Sequence, residues 1–256
     1  ICPSCFQCGG CAFQALSYPA QLLFKQKKVV EQFRKIAHMD VEVLPTLGMD
    51  EPFYYRNKIP PLFGTDAKGH TYSGFYKEGT HKIVPVQECF IEDKRASKIL
   101  AVIRKLCDKF HIPSFDEDTG YGVMRRVLIK TSLHYNEIMV VLITAIERFN
   151  GRESFLKALL KECPEITTVV QNINARHTSV ILGEREKVLF GKGTIRDSIN
   201  GLTFRISAKS FYQTNPIMVE ILYKTAMDFA ILNKNDVVFD AYSGIGTIGL
   251  IAATHG

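Results

Sequence analysis

The sequence predicts a mixed fold, in which a β-rich body of the α+β type is followed by the start of a doubly wound α/β domain. Three observations support this class. Before about residue 210, short β-branched runs alternate with turn residues. After it come a helix, a short apolar strand, a glycine-rich loop and another helix. The composition, 46% hydrophobic and 23% charged, is that of a globular chain and excludes a disordered or collagen-like one.

The α/β part is short for its class. A doubly wound domain needs roughly 130 to 200 residues, and far fewer follow residue 210 in this chain of 256. The chain also begins at Ile1 rather than methionine and stops inside a helical pattern. We therefore expect this domain to be truncated and both ends to be cut from a longer protein.

The helices are predicted from apolar residues that recur at helical spacing. Ser17 is placed to cap the first, Pro164 to end the third, and Asn215-Pro216 to open the fourth. A fifth begins after the glycine-rich loop, at Thr247. The first four predicted helices cover residues 17–38, 96–110, 151–163 and 215–232.

The strands are predicted from β-branched and aromatic runs between turn signals. Residues 41–92 are strand-like and rich in breakers, and Asn200-Gly201 is a strong hairpin signal. A second hairpin is expected where two β-branched runs flank a Tyr-Asn-Glu turn. The predicted strands after residue 92 are 126–133, 138–145, 169–174, 179–182, 187–190, 195–199, 202–206 and 237–239.

The charge of the chain permits a nucleic-acid partner without requiring one. The net charge is +6, and residues 54–82 interleave basic with aromatic side chains, which suits looped or single-stranded RNA. On composition alone, a solvated β-meander with a half-buried aromatic face is the favoured interpretation of that pattern. No apolar run reaches the roughly 20 residues that a membrane helix needs, and the N-terminus lacks the features of a signal peptide.

Four cysteines fall within ten residues, at Cys2, Cys5, Cys8 and Cys11. Nothing indicates secretion, so metal-site chemistry is favoured over disulfides. Two occupants are possible, zinc held by paired C-x2-C knuckles or an iron–sulfur cluster held by four thiolates. The Gly9-Gly10 pair favours the cluster, since a bulky inorganic core needs close backbone approach.

Residues 237–249 contain a G-x-G-x-x-G pattern between a predicted strand and a predicted helix. Such a loop could serve NAD or S-adenosylmethionine. Asp240, at the predicted strand end, would repel a pyrophosphate but suits a cationic sulfonium and amino group. The sequence therefore favours S-adenosylmethionine.

Taken together, the motifs resemble the RNA (uracil-5-)-methyltransferases, specifically the iron–sulfur branch that modifies 23S ribosomal RNA. The resemblance covers essentially the whole chain. The segments that carry it are Cys2-x5-Cys8-Gly9-Gly10-Cys11, Leu16-Ser17-Tyr18, Lys25-Gln26, Tyr55-Arg56-Asn57-Lys58, Gly74-Phe75-Tyr76, Glu88-Cys89, Ser210-Phe211-Tyr212-Gln213-Thr214-Asn215 and Asp240-Ala241-Tyr242-Ser243-Gly244-Ile245-Gly246-Thr247.

The resemblance implies two cofactors. One is a 4Fe–4S cluster bound by Cys2, Cys8, Cys11 and Cys89, with Cys5 an additional thiol that leaves the ligand set open. The other is S-adenosylmethionine in a Rossmann-like domain. The residues expected around it are Gln213, Asp240, Tyr242, Gly244, Gly246 and Thr247; some relatives have Asn in place of Thr247.

The resemblance also implies the reaction. A cysteine thiolate adds to C6 of uracil, C5 takes the methyl group, and a base removes the C5 proton. That cysteine and a glutamate base are expected beyond Gly256, so this chain alone is expected to be inactive. The small N-terminal β-barrel of the family is not expected within these residues. The residues expected to contact RNA are Arg56, Lys58, Phe75 and Lys82.

Two domains are expected: residues 1–16 with 44–212 form the β-rich body, and residues 17–43 with 213–256 form the partial methyltransferase domain. We expect a cytoplasmic monomer that binds RNA, with 23S rRNA favoured over tRNA, and no membrane association. Two other classes stay open. One is an iron–sulfur or zinc RNA-binding module without catalysis, and the other is a flavin- or NAD-linked iron–sulfur oxidoreductase.

Overall fold

The computed structural model describes residues 2–176 and 180–255. Within them, eight strands form one sheet in the order β4-β3-β2-β5-β6-β7-β8, with β1 paired to β5. All neighbours are antiparallel except β6 and β7, which α3 connects. The strands of this sheet are β1 (Lys58–Ile59), β2 (Leu62–Thr65), β3 (Thr71–Tyr76), β4 (Ile83–Pro85), β5 (Met124–Thr131), β6 (Ile138–Thr144), β7 (Thr168–Ile173) and β8 (Arg185–Phe190).

In the described residues, a separate hairpin and five α-helices accompany this sheet. Strands β9 (Thr194–Ile199) and β10 (Leu202–Ser207) pair through the Asn200-Gly201 turn, where both residues have positive φ. The Asp93 and Asn215 side chains cap α2 and α4 by accepting from Arg95 N and Met218 N. The helices are α1 (Tyr18–Gln32), α2 (Lys94–Lys109), α3 (Arg152–Glu162), α4 (Pro216–Ala230) and α5 (Thr247–Ala253).

The centre of the sheet is buried on both faces, which explains the continuous apolar run of β6. Because successive strand residues point to opposite faces, Ile138, Val140 and Leu142 enter one hydrophobic core. Met139, Val141 and Ile143 enter the other. Helices α2 and α3 fill the first core, while the β9–β10 hairpin, α4 and α5 fill the second.

The predicted first helix is confirmed as α1, followed by a π-helical turn at Phe33–Ala37. Ser17 occupies the N-cap position, but its side chain makes no capping hydrogen bond. The helix lies against residues 43–49, since Tyr18 Oη accepts from Met49 N at 2.8 Å. None of its residues is fully buried. The apolar periodicity therefore predicted this helix correctly. In the described fold, however, none of the apolar residues of the helix is buried.

One predicted strand is wrong, and a second lies partly outside the described residues. Residues 237–239 form no strand, and Val237 and Phe239 are 96% and 89% exposed. A buried-type strand needs neighbours for its backbone N–H and C=O groups, and no described strand lies beside this segment. The predicted strand at 179–182 begins at Ser179, outside the described residues, and 180–182 are irregular.

The second core lies on both sides of the expected domain boundary at residue 212. It joins Leu128 and Val170 of the sheet to Val219 of α4 and Ile251 of α5. The boundary stays a prediction.

None of the helices in the described residues combines the length and hydropathy that crossing a bilayer requires.

Candidate functional site

Five thiols line one small cavity of about 50 Å³. Four come from the N-terminal segment, and Cys89 comes from the loop after β4. Arg56, Phe75 and Glu92 complete the polar and aromatic part of the wall. The structure thus brings together the four cysteines that were predicted as ligands, Cys2, Cys8, Cys11 and Cys89. The additional thiol, Cys5, lines the same cavity.

The N-terminal segment is held against the end of β3 through Gly9. Its backbone N–H donates to the Tyr76 carbonyl at 3.1 Å. A Cβ at Gly9 would lie 3.0 Å from that same carbonyl oxygen and 3.2 Å from Glu78 N. A side chain there would push the cysteine segment away from the sheet, so the close approach requires glycine.

Three ionisable side chains in the wall of the cavity, Arg56, Cys89 and Glu92, are largely removed from water. Burial raises the pKa of Cys89 to about 12. Burial also raises the pKa of Glu92 to about 7, although the Arg56 guanidinium opposes that shift. The Arg56 Nε atom is buried and has no hydrogen-bond partner among the described residues. A buried, unpaired cationic donor favours an anionic occupant.

The donor set fits a thiolate-bound inorganic group. Among residues 2–176 and 180–255, no three His, Cys, Asp or Glu side chains converge closely enough to hold a metal ion. Thiolates are ligands of both zinc and iron–sulfur clusters. The identity of the occupant stays a prediction.

The segment 54–58 connects this cavity to the rest of the site. Tyr54 N and Arg56 N donate to the carbonyls of Phe90 and Ile91, which fixes the Cys89 loop. The next residue, Asn57, donates from its backbone N–H to Thr214 O at 3.0 Å. Its Nδ2 donates to Gln213 O at 3.1 Å.

The glycine loop has the expected position before α5 and an internal anchor. Asp240 Oδ2 accepts from Gly249 N at 2.9 Å, and Thr247 Oγ1 lies 3.1 Å from the Tyr223 hydroxyl of α4. The Tyr242 side chain is fully exposed, with a backbone φ of 61°. Gly244 and Gly246 also have positive φ, at 59° and 79°.

Gln213 and the glycine loop have separate contacts. None of the hydrogen bonds in the described part of the chain joins them, because Gln213 contacts Asn57 and the loop contacts α4 and α5. Gln213 and the glycine loop therefore each have their own local anchors in the described residues. Their role in binding the methyl donor stays a prediction.

The four residues expected to contact RNA lie in three places. Arg56 and Phe75 line the thiol cavity. Lys58 pairs in register with Lys130, and its positive charge contributes to lowering the pKa of Lys130. Lys82 is exposed at the rim of a second, larger groove.

Of the residues that line this larger groove, the sequence analysis named only Lys82 as a site residue. Tyr76 could have been found, because it lies inside the basic–aromatic stretch of residues 54–82. Arg125 and Arg126 come from β5. Only the β2–β5 pairing brings those two residues beside Tyr76, and no local pattern predicts that pairing.

The two remaining cysteines have no features of a nucleophile. Cys107 and Cys163 are buried, with 1% and 0% of their surface exposed. Burial raises their pKa values to about 12 and about 11. Because the thiolate is the reactive form, neither is activated in this fold.

The structure thus defines a mixed α/β protein with a cavity lined by five cysteines and a glycine loop that precedes a helix. No family model matches the chain. It is 40% identical over 98% of its length to a protein of Oceanobacillus iheyensis named as an uncharacterized RNA methyltransferase. It is 41% identical over its full length to one of Clostridium acetobutylicum with the same kind of name. The chain is thus a homologue of proteins named RNA methyltransferases.

The chain spans about half the length of these curated relatives, 55% and 56% of the two. Among solved structures it is similar to the Pyrococcus abyssi tRNA (uracil-54, C5)-methyltransferase in complex with S-adenosyl-L-homocysteine. The TM-score is 0.75 and the identity 24%, with 98% of this chain and 57% of that chain covered. At this identity the likeness concerns the fold.

Proposed function

We propose that this chain is part of an S-adenosylmethionine-dependent enzyme that methylates C5 of uridine in RNA. The observation that carries the proposal is the similarity of nearly the whole chain to proteins named RNA methyltransferases. The fold neighbour, a tRNA uracil-C5 methyltransferase crystallised with S-adenosyl-L-homocysteine, supports the same donor and the same base. The glycine loop agrees with this methyl donor, and the series of motifs in the sequence agrees with uracil as the base.

Asp240 has the chemistry to distinguish this donor from a dinucleotide. Its Oδ2 accepts from Gly249 N, which places a carboxylate against the first turns of α5. An anion at this position opposes a pyrophosphate and attracts the cationic groups of S-adenosylmethionine. Gln213, Tyr242, Gly244, Gly246 and Thr247 are proposed to complete the donor site.

The thiol cavity is proposed to hold a 4Fe–4S cluster through Cys2, Cys8, Cys11 and Cys89. When bound, such a cluster supplies thiolate cross-links between the N-terminal segment and the Cys89 loop. Methyl transfer consumes no electrons, so we assign these residues a structural role. The buried Arg56 Nε gives the wall a positive group that suits an anionic core.

We propose 23S rRNA as the substrate, on the cysteine motif. A tRNA is the second candidate, because the fold neighbour is named for uracil-54 of tRNA. Mapping 5-methyluridine in both RNAs from a strain lacking the gene separates the two. Loss at a ribosomal position supports the first, loss in tRNA supports the second, and no loss in either contradicts uridine methylation.

The nucleophile is proposed to lie outside this chain. During the reaction a cysteine sulfur forms a bond to C6, C5 takes the methyl group from the sulfonium, and a base accepts the C5 proton as the sulfur leaves. Cys107 and Cys163 are buried and neutral, which supports this assignment. The chain by itself is expected to bind RNA and donor but to transfer no methyl group. Turnover by the chain alone would contradict the assignment.

Calorimetry with S-adenosylhomocysteine tests the donor directly. We expect binding of this ligand, no binding of NADH, and weaker binding by Asp240→Ala. Asp236→Ala is a matched control, since Asp236 is an exposed carboxylate that accepts from Asn233 N. Binding of NADH in place of S-adenosylhomocysteine would favour the oxidoreductase alternative.

Anaerobic purification tests the cluster. We expect brown, iron-containing protein, loss of colour in Cys8→Ser, and retention of colour in Cys5→Ser if Cys5 is the additional thiol. Colourless protein containing zinc would contradict the cluster. Full iron content in Cys8→Ser would contradict the proposed ligand set.

A further inference from the structure

A groove of about 610 Å³ lies between β3, β5 and the loop at residues 113–121. This volume is within the range of sites that enclose small ligands. Its walls combine aromatic rings with guanidinium groups. The Arg126 guanidinium lies 5.7 Å from the centre of the Tyr76 ring, and that of Arg125 lies 4.6 Å from the centre of the Phe115 ring.

A β-bulge explains how two consecutive arginines reach the same groove. Neighbouring strand residues normally point to opposite faces of a sheet. The β5–β6 register shifts between Met124 and Arg126, and such a bulge re-aims the side chains around it. Both Arg125 and Arg126 therefore line the groove.

Arg126 retains donor capacity that the fold does not use. It is half-buried, and burial lowers its pKa. Within the described residues it forms no ion pair, and its one side-chain hydrogen bond is a long contact of 3.4 Å to Pro60 O. A guanidinium carries five N–H donors in a planar fork, so an acceptor-rich ligand would satisfy it.

Glu117, by contrast, is already partnered. Its carboxylate accepts from the Tyr76 hydroxyl at 3.0 Å and lies 3.5 Å from His81 and from Arg125. Asp116 accepts from the N–H groups of Asp118 and Thr119 and closes its own turn. The carboxylates of Glu117 and Asp116 would repel a polyphosphate in the groove. Their oxygens can still accept hydrogen bonds from the N–H groups of a nucleobase.

We propose that this groove binds one unpaired nucleotide of the RNA substrate. Its base would stack on Tyr76, and the Arg126 fork would contact its acceptor groups or its phosphate. Unpaired RNA bases are recognised in this way, by stacking on aromatic rings and guanidinium planes with hydrogen bonds to their edges. The inference rests on the proposed RNA substrate and adds the place where the RNA is held.

The alternation of β3 relates this groove to the thiol cavity. Phe75 lines the thiol cavity, whereas its neighbour Tyr76 lines the groove. The Tyr76 carbonyl also accepts from Gly9 N of the cysteine segment. The cysteine segment therefore supports the strand that presents the stacking ring.

Fluorescence anisotropy with a labelled 12-mer of oligouridine tests the groove. We expect Tyr76→Ala and Arg126→Gln each to weaken binding by about tenfold, the usual cost of removing one stacked base or one cationic contact. Tyr76→Phe keeps the ring and is expected to bind like the wild type. Lys157→Gln on α3 removes the same single charge from an exposed position outside the groove and is the matched control. Affinities of both groove variants equal to that of Lys157→Gln would overturn the proposal.

Cross-linking gives a second test, which uses only the wild-type protein and so does not depend on whether a variant folds. Oligouridine containing 4-thiouridine is expected to cross-link to peptides covering residues 72–83 and 113–126. Cross-links confined to other peptides would overturn the groove even if S-adenosylhomocysteine binds. Cross-links at the groove without S-adenosylhomocysteine binding would support the groove and contradict the methyltransferase proposal, so the two failures are distinguishable.

Discussion

At the scale of single residues, Asn57 makes more connections than its position in a short motif indicates. It is 6% exposed. Its backbone N–H and Nδ2 hold Thr214 and Gln213, and its carbonyl accepts from Thr131 N of β5. One residue thus joins the sheet to the segment that contains Gln213.

Replacing Asn57 tests this connection. Asn57→Ala removes one buried hydrogen bond and is expected to lower the free energy of unfolding by about 1–2 kcal/mol. Asn57→Asp is expected to cost more, since it sets a carboxylate against the Gln213 carbonyl. Denaturant unfolding measures both, with Asn235→Ala as an exposed control. Equal stability of Asn57→Ala and that control would contradict the role.

Because the Lys130 amine is buried, we expect the stability of the protein to depend on pH. Its side chain is buried and donates to Ser207 O and Ser210 O. Burial, with a smaller contribution from Lys58, lowers its pKa from 10.5 to about 8. Between pH 8 and 10.5 the unfolded chain therefore binds more protons than the folded one, and stability contributed by this group rises with pH.

Lys130→Met removes that titration while keeping a similar volume. The free energy of unfolding of the wild type, relative to this variant, is expected to increase from pH 7.5 to pH 10, by up to about 3 kcal/mol. Denaturant unfolding at both pH values measures the difference. A constant or falling difference would show that the amine is not desolvated as the structure indicates.

At the scale of elements, the β9–β10 hairpin depends on its turn. Gly201 has a φ of 82°, and a Cβ there would meet no other atom within 4 Å. Gly201→Ala is therefore expected to cost about 1 kcal/mol through backbone strain alone. Gly201→Asn should cost less, because Asn tolerates this conformation. Thermal unfolding compares the two, and equal losses would point to packing instead of strain.

At the scale of the whole molecule, β6 is shared by two hydrophobic cores. Leu142→Ala in one core and Met139→Ala in the other are each expected to lower stability by about 2–5 kcal/mol. Because one sheet carries both cores, each variant should unfold in a single transition. Coincident far-ultraviolet and near-ultraviolet circular dichroism curves check this. Two separated transitions would indicate that the cores fold independently.

Much of the local structure follows from local patterns. The helix periods of 96–110, 151–163 and 215–232 each gave a helix within a few residues of the expected bounds. The Asn200-Gly201 pair predicted its hairpin for a physical reason, since both residues must adopt positive φ. The spacing of Cys2, Cys8 and Cys11 likewise predicted that these thiols gather in one place.

Contacts between distant segments needed the tertiary structure. Sequence periodicity says which residues share a face but not which element covers it, so the run 237–239 was predicted as a buried strand that the described fold lacks. The link from Asn57 to Gln213 and the approach of Arg126 to Tyr76 both depend on strand pairing. Pairing is decided by the free energy of the whole core, and short-range signals do not contain it.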